Sequence, residues 1–298
     1  MPLNPPLNQM PVYEVSEGTL YLVPTPIGNL SDITFRAIDV LRAVSLIAAE
    51  DTRNTARLLS AFEIRTPMIS CHEHNEEKCA QAIVRRIGLG EPVALVTDAG
   101  TPAISDPGFR IVNAAIEHGI PVVPLPGASA AVCALSASGL PSDAFCFLGF
   151  APKKRHRRKD MLQKLATRPE TLIFYESPRR ITPFLKEVFE IMGDRKVVVA
   201  REMTKLHEEF IRGRVSKVIR ELERRETVKG EITLLVAGSG KKRAEMSEEV
   251  VNAISEVLEK GDMSHSDIAK FISEKYDMPK NRIYRIVMDI KHSRSGTD

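Results

Sequence analysis

The stretch that decides the fold is 93–108, which reads VALVTDAGTPAISDPG. Its first four residues form an apolar run, typical of a strand buried on both faces of a sheet. Glycine and proline then interrupt the chain twice, at Gly100-Thr101-Pro102 and at Asp106-Pro107-Gly108. Apolar residues return at helical spacing between Phe109 and Ile116. The stretch therefore predicts a strand, a long loop of small residues and a helix, and ligands of open α/β sheets bind at that edge. An ordinary Gly/Pro connection is the alternative.

The remainder of the first 150 residues repeats this order of strand, loop and helix. Strands are predicted at 19–23, 46–49, 67–71, 120–123 and 145–148, the last of them closing the first domain. Such alternation is typical of a mainly parallel sheet covered by helices on both faces. The loop PTPIGNL at 24–30 lacks the GxGxxG and GxxxxGK[ST] spacings, so we do not expect a phosphate cradle there.

Polar residues follow several predicted strands. Glu50, Asp51, Thr52 and Arg53 come directly after the strand at 46–49. Asp51 or Thr52 could cap the next helix, and the four residues could equally face a substrate, so both interpretations stay open. Cys71, His72, His74 and Cys79 match no standard zinc spacing, so we predict no metal site. Four cysteines without a CxxC pair favour reduced thiols in a cytoplasm.

Composition indicates a globular protein of two or three domains. The chain has 298 residues, 43% of them hydrophobic, and a net charge of +3. The N-terminus lacks the pattern of a secretory leader, and prolines interrupt the uncharged stretch 119–142. We therefore expect a cytoplasmic protein without a membrane span.

One segment concentrates positive charge. Six cations lie within seven residues, namely Lys153, Lys154, Arg155, Arg157, Arg158 and Lys159. Such a block is usually either a solvated linker or a phosphate-binding segment. Its place between two domains favours contact with a polyanion, which we interpret as nucleic acid. Contacts of this kind would provide affinity without sequence choice.

The predicted domains are 1–17, a mobile arm with four prolines; 18–150, an α/β domain; 151–240, a second α/β domain that opens with the basic segment; and 245–298, a helical domain. In the second domain, strands at 171–175 and 196–200 flank a helix. Three amphipathic helices in the tail indicate a helix-turn-helix-like unit that could bind nucleic acid. A packing or dimerisation module is the alternative.

Six motifs in order carry a resemblance to a known family: PTPIGNL, AAEDTR, VTDAGTPAISDPG, PLPGASA, FYESP and REMTK, spread over 19–238. Together they resemble the small-subunit ribosomal RNA (cytidine-2′-O)-methyltransferases of the tetrapyrrole methylase superfamily. The resemblance implies two α/β domains with a cleft between them, S-adenosylmethionine as methyl donor, and a homodimer. It implies that the substrate is a cytidine ribose of 16S ribosomal RNA, free or in the assembled small subunit.

The resemblance also implies a donor site. Its residues would be Pro24, Asp98, Gly100, Thr101, Pro102, Ile104, Ser129, Ala130, Tyr175, Met203, Gly230, Glu231 and Ile232. Catalytic candidates at strand exits are Glu50, Asp51, Arg53 and Lys205, and Glu176 is a further candidate for the general base. Arg53 or Arg201 could hold a phosphate. Tetrapyrrole-modifying members read Gly-Asp-Pro where this chain has Gly100-Thr101-Pro102, which argues against a porphyrinoid substrate. Two other functions stay open, a methylase of a small tetrapyrrole-like metabolite and a non-enzymatic nucleic-acid binder.

Overall fold

The computed structural model describes residues 13–239, 248–260, 263–276, 278 and 280–295. The chain divides into two compact units, Met1–Ser239 and Gly240–Asp298. Most of the predicted arm lies outside the described residues. Its last residues are anchored, because the Tyr13 amide donates to Asp39 and the Ser16 amide donates to the Tyr21 hydroxyl. The mobility of the arm stays a prediction.

The first sheet is entirely parallel. Its strands are β1 (Leu20–Leu22), β2 (Leu46–Ala49), β3 (Met68–Ser70), β4 (Val93–Val96) and β5 (Val122–Pro124), in the order β3-β2-β4-β1-β5. The helices are α1 (Phe35–Ala43), α2 (Thr52–Ala61), α3 (Glu76–Gly88), α4 (Phe109–Glu117) and α5 (Ala130–Ser138). One face of the sheet buries Val40 and Leu41 of α1, and the other buries Ile83 of α3 and Ile111 of α4. All four β4 residues are buried, as the apolar run predicts.

The second sheet is mixed. Its strands are β6 (Phe145–Phe150), β7 (Thr171–Glu176), β8 (Lys196–Arg201), β9 (Glu209–Arg214) and β10 (Ile232–Val236), in the order β6-β7-β10-β8-β9. Only the β6–β7 pair is parallel. One face packs on α6 (Arg155–Leu165), α7 (Ile181–Met192) and α8 (Val215–Glu223). The other face packs on α5, whose small side chains Ala131 and Ala134 contact Ile173 and Leu235 within one cluster.

The prediction that 145–148 closes the first sheet is wrong. β6 pairs with β7, with Phe145 opposite Thr171 and Cys146 opposite Leu172. The chain has already crossed to the second sheet through α5 before β6 begins. An apolar strand fits the edge of either sheet, and pairing between strands distant in sequence does not show in a local pattern.

The basic segment is not a linker throughout, because residues from Arg155 onwards form the first turns of α6. Two of the four cysteines face each other. Cys71 follows β3 and Cys79 lies in α3, and this places their Cα atoms 5.9 Å apart, a separation at which a disulfide can form. Cys133 and Cys146 are free.

The second unit contains three helices within its described residues, as predicted: α9 (Glu248–Lys260), α10 (His265–Tyr276) and α11 (Lys280–Ser295). They share a core that includes Ile254, Ile268, Ile272, Ile283 and Val287. Among the described residues, no helix is both long and apolar enough to cross a membrane.

Candidate functional site

A largely apolar cavity of about 330 Å³ lies where the loops after the first-sheet strands face those of the second sheet. It falls in the size range of small-molecule sites. The first sheet contributes Ile27, Ala99, Gly100, Thr101, Ile104, Asp106, Ser129 and Ala130; the second contributes Phe150, Tyr175, Glu176, Ser177, Pro178, Met203, Gly230, Glu231, Ile232 and Thr233. The cavity therefore takes its walls from both α/β halves of the first unit.

Backbone hydrogen bonds fix the conformation of the loop after β4, which lines the cavity. Thr25 and Gly100 exchange both of their backbone hydrogen bonds at 2.9 Å, which ties this loop to the loop after β1. Gly100 has a φ of +88°, a conformation open to glycine and costly for other residues. Ala103 and Ser105 also have a φ of +66°, although their side chains make this conformation unfavourable. Such strain is typical of ligand sites and is kept only where the surroundings enforce it.

The far end of the same loop is held by a buried carboxylate. Glu76 of α3 accepts hydrogen bonds from the Gly108 and Arg110 amides at 2.8 and 3.0 Å. Gly108 has a φ of +138°, and a Cβ there would lie 2.9 Å from Leu95 Cδ2. The loop is thus fixed at both ends, so that the residues between them, including Asp106, are presented to the cavity.

Ten of the thirteen residues expected to bind the donor line this one cavity. The exceptions are Pro24, Asp98 and Pro102. Pro24 packs against Gly127, where a Cβ would come within 2.5 Å of the proline ring. Pro102 is buried within the loop, and Asp98 points into a neighbouring carboxylate cluster. Donor contact by each of the thirteen stays a prediction.

The carboxylate cluster lies at the carboxyl ends of β2 and β4. Glu50 accepts a 2.6 Å hydrogen bond from the Thr97 hydroxyl and one of 3.3 Å from the Asp98 amide. Asn54 donates to Asp98 at 2.8 Å. Asp106 belongs to both the cluster and the cavity: burial, reinforced by the charge of Glu50, raises its pKa to about 6. Burial also raises the pKa of Asp98.

Two catalytic candidates have structural roles. The Asp51 side chain caps α2 by accepting from the Arg53 amide at 2.9 Å, as one of the two sequence interpretations had it. Its hydrogen bonds from Arg53 lower its pKa to about 2, too low for a general base at neutral pH. Arg53 itself is 86% exposed and lies outside the cavity walls. The prediction that this pair is catalytic is not supported by the geometry.

Lys205 is bound in an ion-pair cluster. Its ammonium donates to Glu202 and Glu231, both at 2.9 Å. Burial lowers the pKa of Lys205, but the two carboxylates outweigh burial and raise it overall. These surroundings favour the charged form of Lys205, and a catalytic role for it stays a prediction. Glu176 does line the cavity, where burial raises its pKa and Arg180 holds it at 2.7 Å. Arg201 pairs with Glu209.

The structure adds cavity residues that sequence reasoning missed, notably Asp106, Phe150, Ile27 and Thr233. A sequence signal existed for Asp106, because it stands in a Gly/Pro-rich loop after a buried strand. By its composition, the turn at Asp106-Pro107-Gly108 indicates only a break in the chain. Phe150 had no such signal, since its orientation depends on how β6 pairs with β7.

The six cations of the basic segment separate into two groups. Arg158 is only 12% exposed, and its guanidinium donates two hydrogen bonds to the buried Glu187 carboxylate of α7, at 2.5 and 2.7 Å. Lys159 pairs with Glu190 at 2.8 Å. Carboxylates from α7 already pair with these two cations, which favours a structural role for them, and their contact with RNA stays a prediction. Lys153, Lys154, Arg155 and Arg157 are exposed, and Arg155 also lies 3.4 Å from Glu187.

Comparison with known proteins identifies the family. Residues 19–219 match the family model described as Tetrapyrrole (Corrin/Porphyrin) Methylases. The chain is 43% identical to Ribosomal RNA small subunit methyltransferase I of Micromonospora olivasterospora over 283 residues, which are 95% of this chain and 90% of that protein. It is 50% identical to the protein of the same name from Halalkalibacterium halodurans over 226 residues, 76% and 78% of the two chains.

A solved structure shares the fold. The uroporphyrin-III C-methyl transferase from Thermus thermophilus, complexed with S-adenyl homocysteine, aligns with a TM-score of 0.52 at 19% identity, over 73% of this chain and 96% of that one. The predicted α/β fold is confirmed. The two sheets, the cavity at their strand exits and the relatives named ribosomal RNA small subunit methyltransferase I all agree with the match across 19–219. This chain therefore belongs to the tetrapyrrole (corrin/porphyrin) methylase family.

Proposed function

We propose that this protein transfers a methyl group from S-adenosylmethionine to a ribose 2′-oxygen of small-subunit ribosomal RNA, at a cytidine. The observation that carries the proposal is a cavity made from the strand-exit loops, with an exposed group of cations beginning three residues after its Phe150 wall. The names of the 42–50% identical relatives support the ribosomal RNA substrate. Cytidine as the target follows from the motif resemblance described above.

The cavity residues suit S-adenosylmethionine. Ile27, Ile104, Met203 and Ile232 offer apolar surface for the flat adenine, and Gly100 leaves the backbone uncovered where a ligand could lie against it. Acidic groups, including Glu176 and Glu231, are complementary to the positive sulfonium and ammonium. When bound, the donor supplies a methyl group on a cationic sulfur that is electrophilic without a metal.

Asp106 is the general base in this proposal. It lines the cavity, and a pKa of about 6 lies close to the neutral range in which a base is most effective. The 2′-oxygen forms the new bond to the methyl carbon, the carbon–sulfur bond breaks toward sulfur, and the hydroxyl proton passes to the Asp106 carboxylate. Glu50 raises the pKa of Asp106 by its negative charge and is itself oriented by Thr97 and the Asp98 amide.

Ribosomal RNA would be held through its phosphates by the exposed cations Lys153, Lys154, Arg155 and Arg157.

A homodimer is part of the same proposal. Phe109 and Ile116 lie seven residues apart on α4 and are 66% and 62% exposed, and Val132 of α5 is 55% exposed. Large apolar side chains on one helix face are typical of a protein–protein contact, so we propose that a homodimer covers this face. A ribosomal substrate supports the proposal that the protein acts in the cytoplasm.

Nucleoside mass spectrometry of ribosomal RNA tests the proposed function. RNA from cells that lack the gene should lose one 2′-O-methylcytidine, and the wild-type gene should restore it. A matched variant, Gly100→Leu, should fail to restore it because a side chain at this position strains the φ of +88° and enters the donor cavity. Unchanged ribosomal RNA would overturn the function, whereas loss of another ribose-methylated nucleoside would overturn only the cytidine assignment.

A further inference from the structure

Phe150 is an exposed aromatic residue in the wall of the donor cavity. It ends β6, is 60% exposed, and packs edge-on against Tyr175, with ring centroids 5.6 Å apart and planes at 65°. Neither donor binding nor proton transfer, as derived above, uses it. Because this exposed ring lines a cavity, it offers a flat apolar face to a molecule that binds there.

The orientation of this ring is built into the backbone. The pairing of β6 with β7 changes register between Phe147 and Phe150, and Gly149 between them has a φ of +59°. In a regular strand, residues three apart would lie on opposite faces of the sheet. Here Phe147 and Phe150 both pack on Tyr175, at 4.9 and 5.6 Å. Bulges of this kind re-aim side chains next to active sites.

The bulge lies close to the donor loop. A Cβ at Gly149 would come within 2.9 Å of the Ser105 hydroxyl, so the glycine leaves room there for the loop that presents Asp106. Phe150 and Asp106 consequently line the same cavity from opposite sheets.

The connection from Phe150 to the exposed cations is also fixed. Arg180, paired with Glu176, donates to the Ala151 carbonyl at 2.6 Å. Arg158, paired with Glu187, donates to the carbonyls of Pro152 and Lys153 at 3.1 and 3.3 Å. The ring therefore shares a cavity with the proposed base, and a backbone that two arginines hold leads from it to the first proposed phosphate contact, Lys153, three residues later.

We propose that Phe150 is the stacking surface for the base of the nucleotide that is methylated. This inference rests on the proposed function. A ribose hydroxyl reaches an enclosed cavity only when its nucleotide leaves the RNA stack, which exposes both faces of the base to water. Aromatic side chains replace the lost stacking in single-stranded RNA recognition. The ring recognises a planar base without choosing among bases, so Phe150 positions the nucleotide and the specificity for cytidine lies elsewhere.

The test compares two short RNAs, one with cytidine and one with an abasic ribose at the target position. Wild-type protein should bind the cytidine RNA about tenfold more tightly, because base–aromatic stacking supplies a difference of that order. Phe150→Ala and Phe150→Leu should bind both RNAs equally, and both should keep their affinity for S-adenosylhomocysteine in calorimetry. Phe150→Leu keeps most of the side-chain volume, so it also answers the question if Phe150→Ala fails to fold.

Phe145→Ala is the matched control, because Phe145 lies on the same strand, is 46% exposed and does not line the cavity. It should keep the wild-type preference for the cytidine RNA. If the Phe150 variants keep that preference as well, the inference is wrong. Loss of donor affinity in them would also overturn it, since the ring would then contact the donor. Failure of wild-type protein to methylate any RNA would overturn the proposed function together with this inference.

Discussion

At the scale of single residues, surroundings rather than residue type decide which carboxylate can act as a base. Asp51 and Asp106 follow the two neighbouring strands β2 and β4. Hydrogen bonds from Arg53 lower the pKa of Asp51 to about 2, whereas burial and Glu50 raise that of Asp106 to about 6. A carboxylate that is held ionised by a cation is a cap, and one that accepts a proton near neutrality is suited to catalysis.

We therefore predict that Asp106→Asn lowers kcat by about 10²- to 10⁴-fold, the usual contribution of a general base, with little change in donor affinity. Asp51→Asn serves as the matched control, because asparagine caps a helix about as well as aspartate and activity should be nearly unchanged. Single-turnover methylation assays measure both variants. Equal losses in the two would contradict the assignment of Asp106 as base.

The same substitution has a predictable effect on stability. Because the pKa of Asp106 rises from 3.8 to about 6 on folding, the folded state binds this proton more tightly than the unfolded state does. The resulting stabilisation is complete below about pH 4 and is lost as the pH rises through 6. Asp106→Asn should therefore raise the free energy of unfolding at pH 8 by about 1 kcal/mol, allowing for solvent screening, with a smaller gain at pH 4.5. Denaturant titrations at both pH values check this.

At the scale of elements, α6 has two roles, packing against α7 and presenting exposed cations. Its buried side is tied to α7 by the Arg158–Glu187 pair, in which both side chains are nearly inaccessible, at 12% and 6% exposed. Its first turn and the residues before it present exposed cations. The concentration of charge in the sequence therefore reflects two ion pairs with α7 and one proposed phosphate-binding surface.

Breaking the buried pair should destabilise the protein. Arg158→Met leaves the Glu187 carboxylate buried without its main partner, and such a loss typically costs about 3–5 kcal/mol. Arg155, 3.4 Å from Glu187, should reduce that cost. We predict a loss near the low end of that range by chemical denaturation. Lys153→Met, at an exposed position of the same segment, is the control and should leave unfolding unchanged.

The exposed cations should govern the salt dependence of RNA binding. Replacing Lys153, Lys154, Arg155 and Arg157 by glutamine removes up to four phosphate contacts. At about 0.7–0.9 per phosphate, the slope of log affinity against log salt should fall by about three. Lys159 is already paired with Glu190, so Lys159→Gln should lower this slope by less than the loss of one phosphate contact would. A slope that is the same in the fourfold variant and wild type would identify the segment as a solvated surface.

At the scale of the whole molecule, the proposed dimer rests on exposed apolar side chains of α4 and α5. Phe109, Ile116 and Val132 are all more than half exposed. Burying side chains of this size stabilises an interface by about 1.5–3 kcal/mol each, before the cost of association is deducted. This is the physical ground for a dimer, beside the family resemblance.

The protein should accordingly sediment at about twice its chain mass of 33.1 kDa. Phe109→Glu combined with Ile116→Glu should give a monomer, because two charges would have to be buried at the contact. Phe189→Glu, at a comparably exposed phenylalanine on α7, should leave the dimer intact. Analytical ultracentrifugation distinguishes the species, and a fully active wild-type monomer at micromolar concentration would contradict the proposal.

The sequence by itself determined the strands, the helices and the loops that form the cavity. These features depend on signals within a few residues: the apolar run of β4, the glycine and proline of the loop after it, and the helical spacing from Phe109 onwards. The family motifs fall on the same loops, which is why ten of thirteen expected donor residues line one cavity.

Only the tertiary structure decided which residues work together. β6 joins the second sheet through pairing with β7, and the bulge at Gly149 that turns Phe150 into the cavity exists only in that pairing. Glu187 neutralises Arg158 from 29 residues away, and Asp106 acquires its pKa from burial and from Glu50. Pairing, ion-pair formation and desolvation are interactions between parts of the chain that are distant in sequence, and no local pattern of residues encodes the distance between them.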